Sequence, residues 1–491
     1  MKEKNGCNRL SCGGRLSCPV MKKEARIVIV PSAGAGHIAS TIELAKLLVN
    51  HDPRLWVTEL VIKFPFDRTS GNSYAQSLVS TERVNLINLL PECPTDSEST
   101  RVGQMIAVLE NQKPNIKEAV SNLTGPPLAA FIVDMFCTAI IDVAKHFGVP
   151  SLVFYTSGVA FLGLMLHLHT LRERDNAEFN DSDTEFIIPS FANAVPPKAL
   201  PSVVINKEWD SFFLAYGKGL KKADGFIVNS FEELESHAVH SFTHAPQPIY
   251  PVGPLLNPKA HAHVHADADN TDTFNWLDHQ PPSSVIFLCF GSMGSFPEDQ
   301  VREIARALEN TGARFLWSLR KPQPKGSMSL PSDYPLSDLP AILPPGFLDR
   351  TAEIGKVIGW APQAQILAHS ATAGFVSHCG WNSTLESVYY GVPVATWPLH
   401  AEQQMNAFEL VCELKMAVEI ALDYRVDFWT GPNTLLTADK IEKGIRSLMN
   451  IDQDIKNRVK EMSEKSRKTL LQGGCSYSYL GRFTHYIMNQ V

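Results

Sequence analysis

Two stretches of the sequence set reactive side chains at places where a backbone exposes them. In the first, an apolar run at residues 25–31 (ARIVIVP) breaks into a small-residue loop, 32–36, followed at once by His37 and a helical pattern. A histidine there stands at the carboxyl end of a buried strand, where a neutral imidazole can accept the proton of a hydroxyl. Asp134 closes another apolar run, 129–134, and a carboxylate in that position can hold the ring and stabilise the imidazolium that forms. The second stretch is residues 360–403. An apolar run at 374–378 ends on His378, turns through Cys379 and Gly380, and enters a helix expected to start near Asn382 and Ser383. Unpaired backbone N–H groups and the positive end of the helix dipole make such a terminus an anion site. Asn382 and Ser383 suit the N-cap and can donate to phosphate oxygens, with His378 as a further donor. Glu386 lies one turn on, on the same face, where its carboxylate can accept from a diol such as a ribose.

Each of these residues also has a plainer use. A histidine at a strand end can simply cap or pack, an aspartate there can form a turn, and Trp360 and Trp381 can be core aromatics. Glu402 and Gln403 can be an ordinary exposed pair, although they follow the apolar run 392–397, where an open parallel sheet binds its ligands. Gly34, Gly36 and Ala39 also fit the dinucleotide-binding fingerprint, which would make the chain a nicotinamide-dependent oxidoreductase. That motif requires an acidic residue at the end of the second strand, and Lys63 and Phe64 stand there instead. The run HAHVHADAD at 261–269 offers metal-ligand types without a scaffold to fix their geometry, so it reads as solvated linker and no metal site is expected.

The elements that must position these groups alternate along the chain. Short apolar runs at 56–64, 84–90, 151–155 and 225–229 continue the first set, with helical segments between most of them. A polar stretch, 257–273, reads as a linker, and the alternation restarts at 285–290, 314–319, 355–359, 374–378 and 392–398. This is the pattern of two doubly wound α/β domains in tandem, facing each other across a cleft with one ligand on each wall. The expected division is a disordered leader at 1–20, a first domain at 21–256, a second at 274–472, and a last helix after Gly473 and Gly474. Residues 320–340, rich in Pro, Ser and Lys, read as a surface insertion.

The 491 residues carry 44 Lys and Arg against 51 Asp and Glu, a net charge of −7, with no basic block to suit nucleic acid. No run has the apolar length of a membrane span, and nine scattered cysteines suit a reducing compartment, so a cytoplasmic protein is expected.

Residues 360–403 resemble the signature box of the plant UDP-dependent glycosyltransferases of secondary metabolism, with Trp360, Ala361, Pro362, Gln363, His369, Leu385, Glu386 and 375–383 among the matching positions. The likeness runs from Met21 to the C-terminus and includes Gly36 and His37, Asn229 to Phe231, and 290–292. It implies a GT-B fold whose last helix, 473–491, returns to the first domain. It also implies an inverting enzyme that moves glucose from UDP-glucose to a hydroxyl of a small phenolic, flavonoid or terpenoid acceptor. By that resemblance His37 is the base and Asp134 its partner. Trp360 stacks on the uracil, and Ala361 and Gln363 help hold the uridine. Glu386 takes the ribose, while His378, Asn382, Ser383 and Ser292 hold the diphosphate. Trp381, Glu402, Gln403 and, from the first domain, Thr156 hold the sugar. Many members have Asp where Glu402 stands. A glutamine at 403 goes with glucose, its amide able both to donate to and to accept from neighbouring hydroxyls. No metal is expected, because the helix N-terminus, His378 and Ser292 do the work of a cation, and no other cofactor and a monomer are expected.

Overall fold

The computed structural model describes residues 23–32, 34–62, 82–89, 101–180, 184–256, 270–324, 330–427, 431–432 and 434–491. The expected leader and the linker residues 257–269 lie outside them.

Seven strands form the first sheet: β1 (Ala25–Val30), β2 (Leu55–Val61), β3 (Val84–Asn88), β4 (Leu128–Asp134), β5 (Ser151–Tyr155), β6 (Gly225–Val228) and β7 (Ile249–Pro251). Their spatial order is β3-β2-β1-β4-β5-β6-β7, all parallel. β1, β4, β5 and β6 are buried at every position but one, which is why they read as unbroken apolar runs. The second sheet comprises β8 (Val285–Cys289), β9 (Arg314–Ser318), β10 (Gly355–Ile358), β11 (Thr372–Ser377), β12 (Val394–Thr396) and β13 (Ala417–Glu419), in the order β10-β9-β8-β11-β12-β13. In each sheet the chain winds outward one way and then reverses. The reversal lies between β1 and β4 in the first and between β8 and β11 in the second, and loops diverge there to leave a crevice.

Three expectations change. The linker ends earlier than 273, because the helix Thr271–Asp278 starts inside it. The stretch 320–340 is not simply a surface insertion. Arg320 is buried, pairs antiparallel with Asp333 and forms an ion pair with it at 2.9 Å, so the segment folds back onto the second domain. The helix after β11 is Trp381–Tyr390 with Gly380 at its N-cap, so Asn382 and Ser383 lie in the first turn rather than at the cap.

The two domains are tied together at several places. The Trp381 indole donates to the Asn229 carbonyl at 2.7 Å. Glu413 accepts from the backbone N–H groups of Ala192 and Asn193 at 2.9 Å each, and Arg425 donates to the carbonyls of Lys198 and Leu200. The helix Cys475–Met488 buries Leu480, Phe483 and Ile487 among β1 and β4 residues of the first domain. The preceding helix, Gln453–Lys468, packs against Trp381–Tyr390 of the second, where Ser463 donates to the Tyr389 carbonyl at 2.7 Å. Among the described residues no helix is long and apolar enough to cross a membrane.

Candidate active site

The crevice of the first sheet holds His37 and Asp134. His37 is the third residue of the helix Ala35–His51, and Gly34, at φ 116°, makes the turn from β1 into that helix. Asp134 ends β4 and is wholly buried, with one oxygen accepting the Phe136 N–H at 3.1 Å. Its other oxygen lies 2.8 Å from His37 Nδ1, so Nδ1 carries the proton and Nε2 keeps its lone pair. Burial works against a charged His37. The Asp134 carboxylate, and beyond it Glu402 from the second domain, outweigh that, and the ring's pKa lies above its ordinary value. The Thr156 hydroxyl, just past β5, is 3.3 Å from the same Nδ1.

An aromatic wall stands beside the imidazole. Phe136 has its ring centre 5.4 Å from that of His37, and Phe212 and Tyr216 follow at 6.3 and 6.1 Å from Phe136. Sequence reasoning missed these residues. The signal was the dense aromatic run of the helix Asp210–Lys222, which periodicity alone assigns to packing.

The crevice of the second sheet holds the residues expected to bind an anion. His378 lies just past β11, flanked by Gly291 and Gly380; a Cβ on either would come within 2.5 Å of its Nε2. Burial drops the His378 pKa to about 3, so the ring is neutral, and its Nδ1 has no partner among the described residues. The Asn382 carboxamide oxygen is likewise buried without a partner among the described residues. Cys379 turns the chain at φ 61°, a conformation costly for a non-glycine residue and one that concentrates at functional sites. Among the described residues no side chain caps the helix Trp381–Tyr390, and Ser292 is exposed in the loop after β8, next to Gly291. Gln363 donates to Ser383 at 2.8 Å and to Glu386 at 2.7 Å, and burial raises the Glu386 pKa to about 7. Trp360 follows β10, with buried Ala361 beside it, and the guanidinium of Arg320 stands 4.9 Å from the indole centre. Arg320 is a further residue that sequence reasoning missed, since its segment read as exposed.

Glu402 and Gln403 open the helix Gln403–Phe408. Burial raises the pKa of Glu402, whose carboxylate lies within electrostatic reach of His37, so the two crevices face each other. Trp381, expected among the sugar ligands, is buried at the start of the helix Trp381–Tyr390. Its indole N–H is held by the Asn229 carbonyl, so the ring packs against the first domain. Gln403 accepts from the N–H groups of Leu399 and His400 at 2.9 and 3.0 Å, so its amide is left to donate only.

A neutral, donor-rich anion site facing a histidine–carboxylate pair across a cleft suits transfer of a group from a nucleoside diphosphate. The comparisons agree. Residues 225–448 match the model of the UDP-glucoronosyl and UDP-glucosyl transferase family. The putative UDP-glucose flavonoid 3-O-glucosyltransferase 3 of Fragaria ananassa is 50% identical over 485 residues, 95% of this chain and 100% of the relative. The chain belongs to the plant UDP-glycosyltransferases. A solved glycosyltransferase of this kind from Siraitia grosvenorii, in complex with UDP, is 44% identical over 95% of this chain and 100% of its own, with a TM-score of 0.85. UGT71G1 of Medicago truncatula, complexed with UDP-glucose, is 38% identical over 95% of this chain and 98% of its own, with a TM-score of 0.83. This glycosyltransferase therefore has the GT-B fold, its two parallel-sheet domains corresponding to those of its relatives.

Proposed function

We propose that the enzyme transfers glucose from UDP-glucose, with inversion, to a hydroxyl of a small aromatic acceptor of the flavonoid or phenolic type. The observation that carries this reading is the 2.8 Å contact between His37 Nδ1 and Asp134 at the reversal point of the first sheet. His37 Nε2 takes the proton of the acceptor hydroxyl as its oxygen bonds to the anomeric carbon and the bond from that carbon to the β-phosphate oxygen breaks. Asp134 steadies the imidazolium, and an α-linked donor yields a β-glucoside. The departing diphosphate meets the N-terminus of the helix Trp381–Tyr390 with Ser292, His378, Asn382 and Ser383, so no metal is required in this scheme. Trp360, Ala361, Gln363 and Glu386 hold the uridine.

Glucose is favoured because Glu402 accepts and the Gln403 amide donates, a pair that suits neighbouring equatorial hydroxyls. Residues 360–403 contain no Lys or Arg to pair with a glucuronate. Flavonoid-type acceptors are favoured by the wall of Phe136, Phe212 and Tyr216, whose faces can stack on a planar ring. The test is a competition between equimolar UDP-glucose, UDP-galactose and UDP-glucuronate over a panel of aglycones, read by mass spectrometry. Glucosides of planar phenols should dominate, and a dominant galactoside, a dominant glucuronide or indifference to planarity contradicts the reading.

A further inference from the structure

Two buried carboxyl groups meet between the domains, away from the reacting atoms. Glu235, in the loop after β6, is 3% exposed. It accepts the backbone N–H groups of Val159 at 2.9 Å and Ala160 at 2.7 Å, the first two residues of the helix Val159–Asp175, and also the Ser230 hydroxyl. Three donors and the positive end of a helix of 17 residues make this position an anion's. Glu409, 4% exposed, follows the helix Gln403–Phe408 of the second domain and hydrogen-bonds to Glu235. Buried carboxyls in contact cannot both ionise. The donors around Glu235 decide which one does, so Glu409 is the acid. Its pKa is accordingly held well above the usual carboxylate range, by burial first and then by Glu235. The other titratable groups facing the pair among the described residues are Glu413, beside Glu409 and itself bound to Ala192 and Asn193, and the Tyr155 phenol beside Glu235.

The pair joins the two segments that carry the walls of the cleft. Thr156, three residues before Val159, touches His37, and Gly158 between them lies so close to Glu235 and Trp381 that a Cβ would stand 2.7 and 2.9 Å from their side chains. Glu402 stands two turns before Glu409, ~10 Å along the helix axis. We propose that Glu409 is a positioning residue: the proton it donates to Glu235 latches the sugar-side helix of the second domain to the acceptor-side helix of the first, and so sets Glu402 and the bound sugar against His37.

The latch needs a donor at 409 and does not touch the nucleotide, which predicts a split between turnover and binding. Glu409→Gln keeps a donor at every pH, whereas Glu409→Leu has none. Glucosylation by wild type should decline at alkaline pH as Glu409 loses its proton, with the Kd for UDP unchanged. In Glu409→Gln that decline should move up by at least about one pH unit, with kcat near neutrality within about threefold of wild type. Glu409→Leu should lose at least about tenfold in kcat at neutral pH while its UDP Kd stays within about twofold. Superimposable alkaline limbs for wild type and Glu409→Gln, or a Glu409→Leu enzyme with wild-type kcat, overturns the latch. Should Glu409→Leu fail to fold, the pH comparison still decides. The proposal rests on the proposed function for its assay, and the two fail differently: a wild type that makes no glucoside at any pH refutes the function, whereas coincident limbs in an active enzyme refute the latch alone.

Discussion

Glu59 sits in β2 with no solvent exposure, beneath the helix that carries His37. The Thr41 hydroxyl, one turn along that helix, donates to one carboxyl oxygen, and the other has no partner among the described residues. Burial raises the Glu59 pKa from 4.5 to about 8. The folded state therefore keeps a proton that the unfolded chain has released, and stability falls as pH rises between those two values. At about 1.4 kcal/mol per pKa unit, this penalty grows by about 3 kcal/mol between about pH 5.5 and 8.5. Glu59→Gln retains the acceptor for Thr41 and has no charge to desolvate. Relative to wild type it should gain about 3 kcal/mol over that interval, a differential rise in Tm of roughly 6–12 °C for a domain of some 200 residues. Melting curves of both proteins by circular dichroism at several pH values test it. A Tm difference that stays constant across the range would show that Glu59 is ionised throughout and that the reasoning from burial is wrong.

Two further outcomes follow from the nucleotide crevice. In the proposed role Glu386 accepts two ribose hydroxyls as a carboxylate, and burial raises its pKa to about 7, so UDP should bind progressively more weakly below that pH, by up to about tenfold per unit. Calorimetric titration between pH 8 and 6 should show this slope in wild type and its absence in Glu386→Gln; a flat wild-type profile contradicts the role of Glu386. Gly291→Ala adds a Cβ at φ 72° within 2.5 Å of His378 Nε2, so UDP affinity should drop at least about tenfold while the far-ultraviolet dichroism stays native. Wild-type affinity in that variant would show that His378 can move aside without consequence.

Much of this was legible in the sequence because parallel strands buried on both faces leave continuous apolar runs, and because the reversal points bring His37, Asp134 and His378 to strand ends. The edge strands β7 and β13, of three residues each, are too short to leave such a signature. The helix at Trp381 starts earlier than its polar residues suggested, since glycine can occupy a cap without supplying a side-chain acceptor. Arg320 was hidden by its neighbours: Pro, Ser and Lys around it read as surface, yet its charge is paired with Asp333 and covers Trp360. The second use of Trp381, the donor-only state of Gln403 and the contact between Glu235 and Glu409 depend on tertiary juxtaposition, which no local pattern encodes.

The central claim is that His37 and Asp134 act as one base, and the most direct measurement is the turnover of the single and double alanine variants with the Kd for UDP determined alongside. General-base assistance is worth about 10²–10⁴-fold, so His37→Ala should lose at least about a hundredfold in kcat while its UDP Kd barely changes, because the proposed nucleotide site lies in the other domain. Asp134→Ala should lose less, since the imidazole survives without its orienting partner at 2.8 Å. The double variant should be little worse than His37→Ala alone, as for residues that work as a unit. Losses that multiply, or UDP binding that collapses with His37→Ala, would make His37 a structural residue and contradict the account.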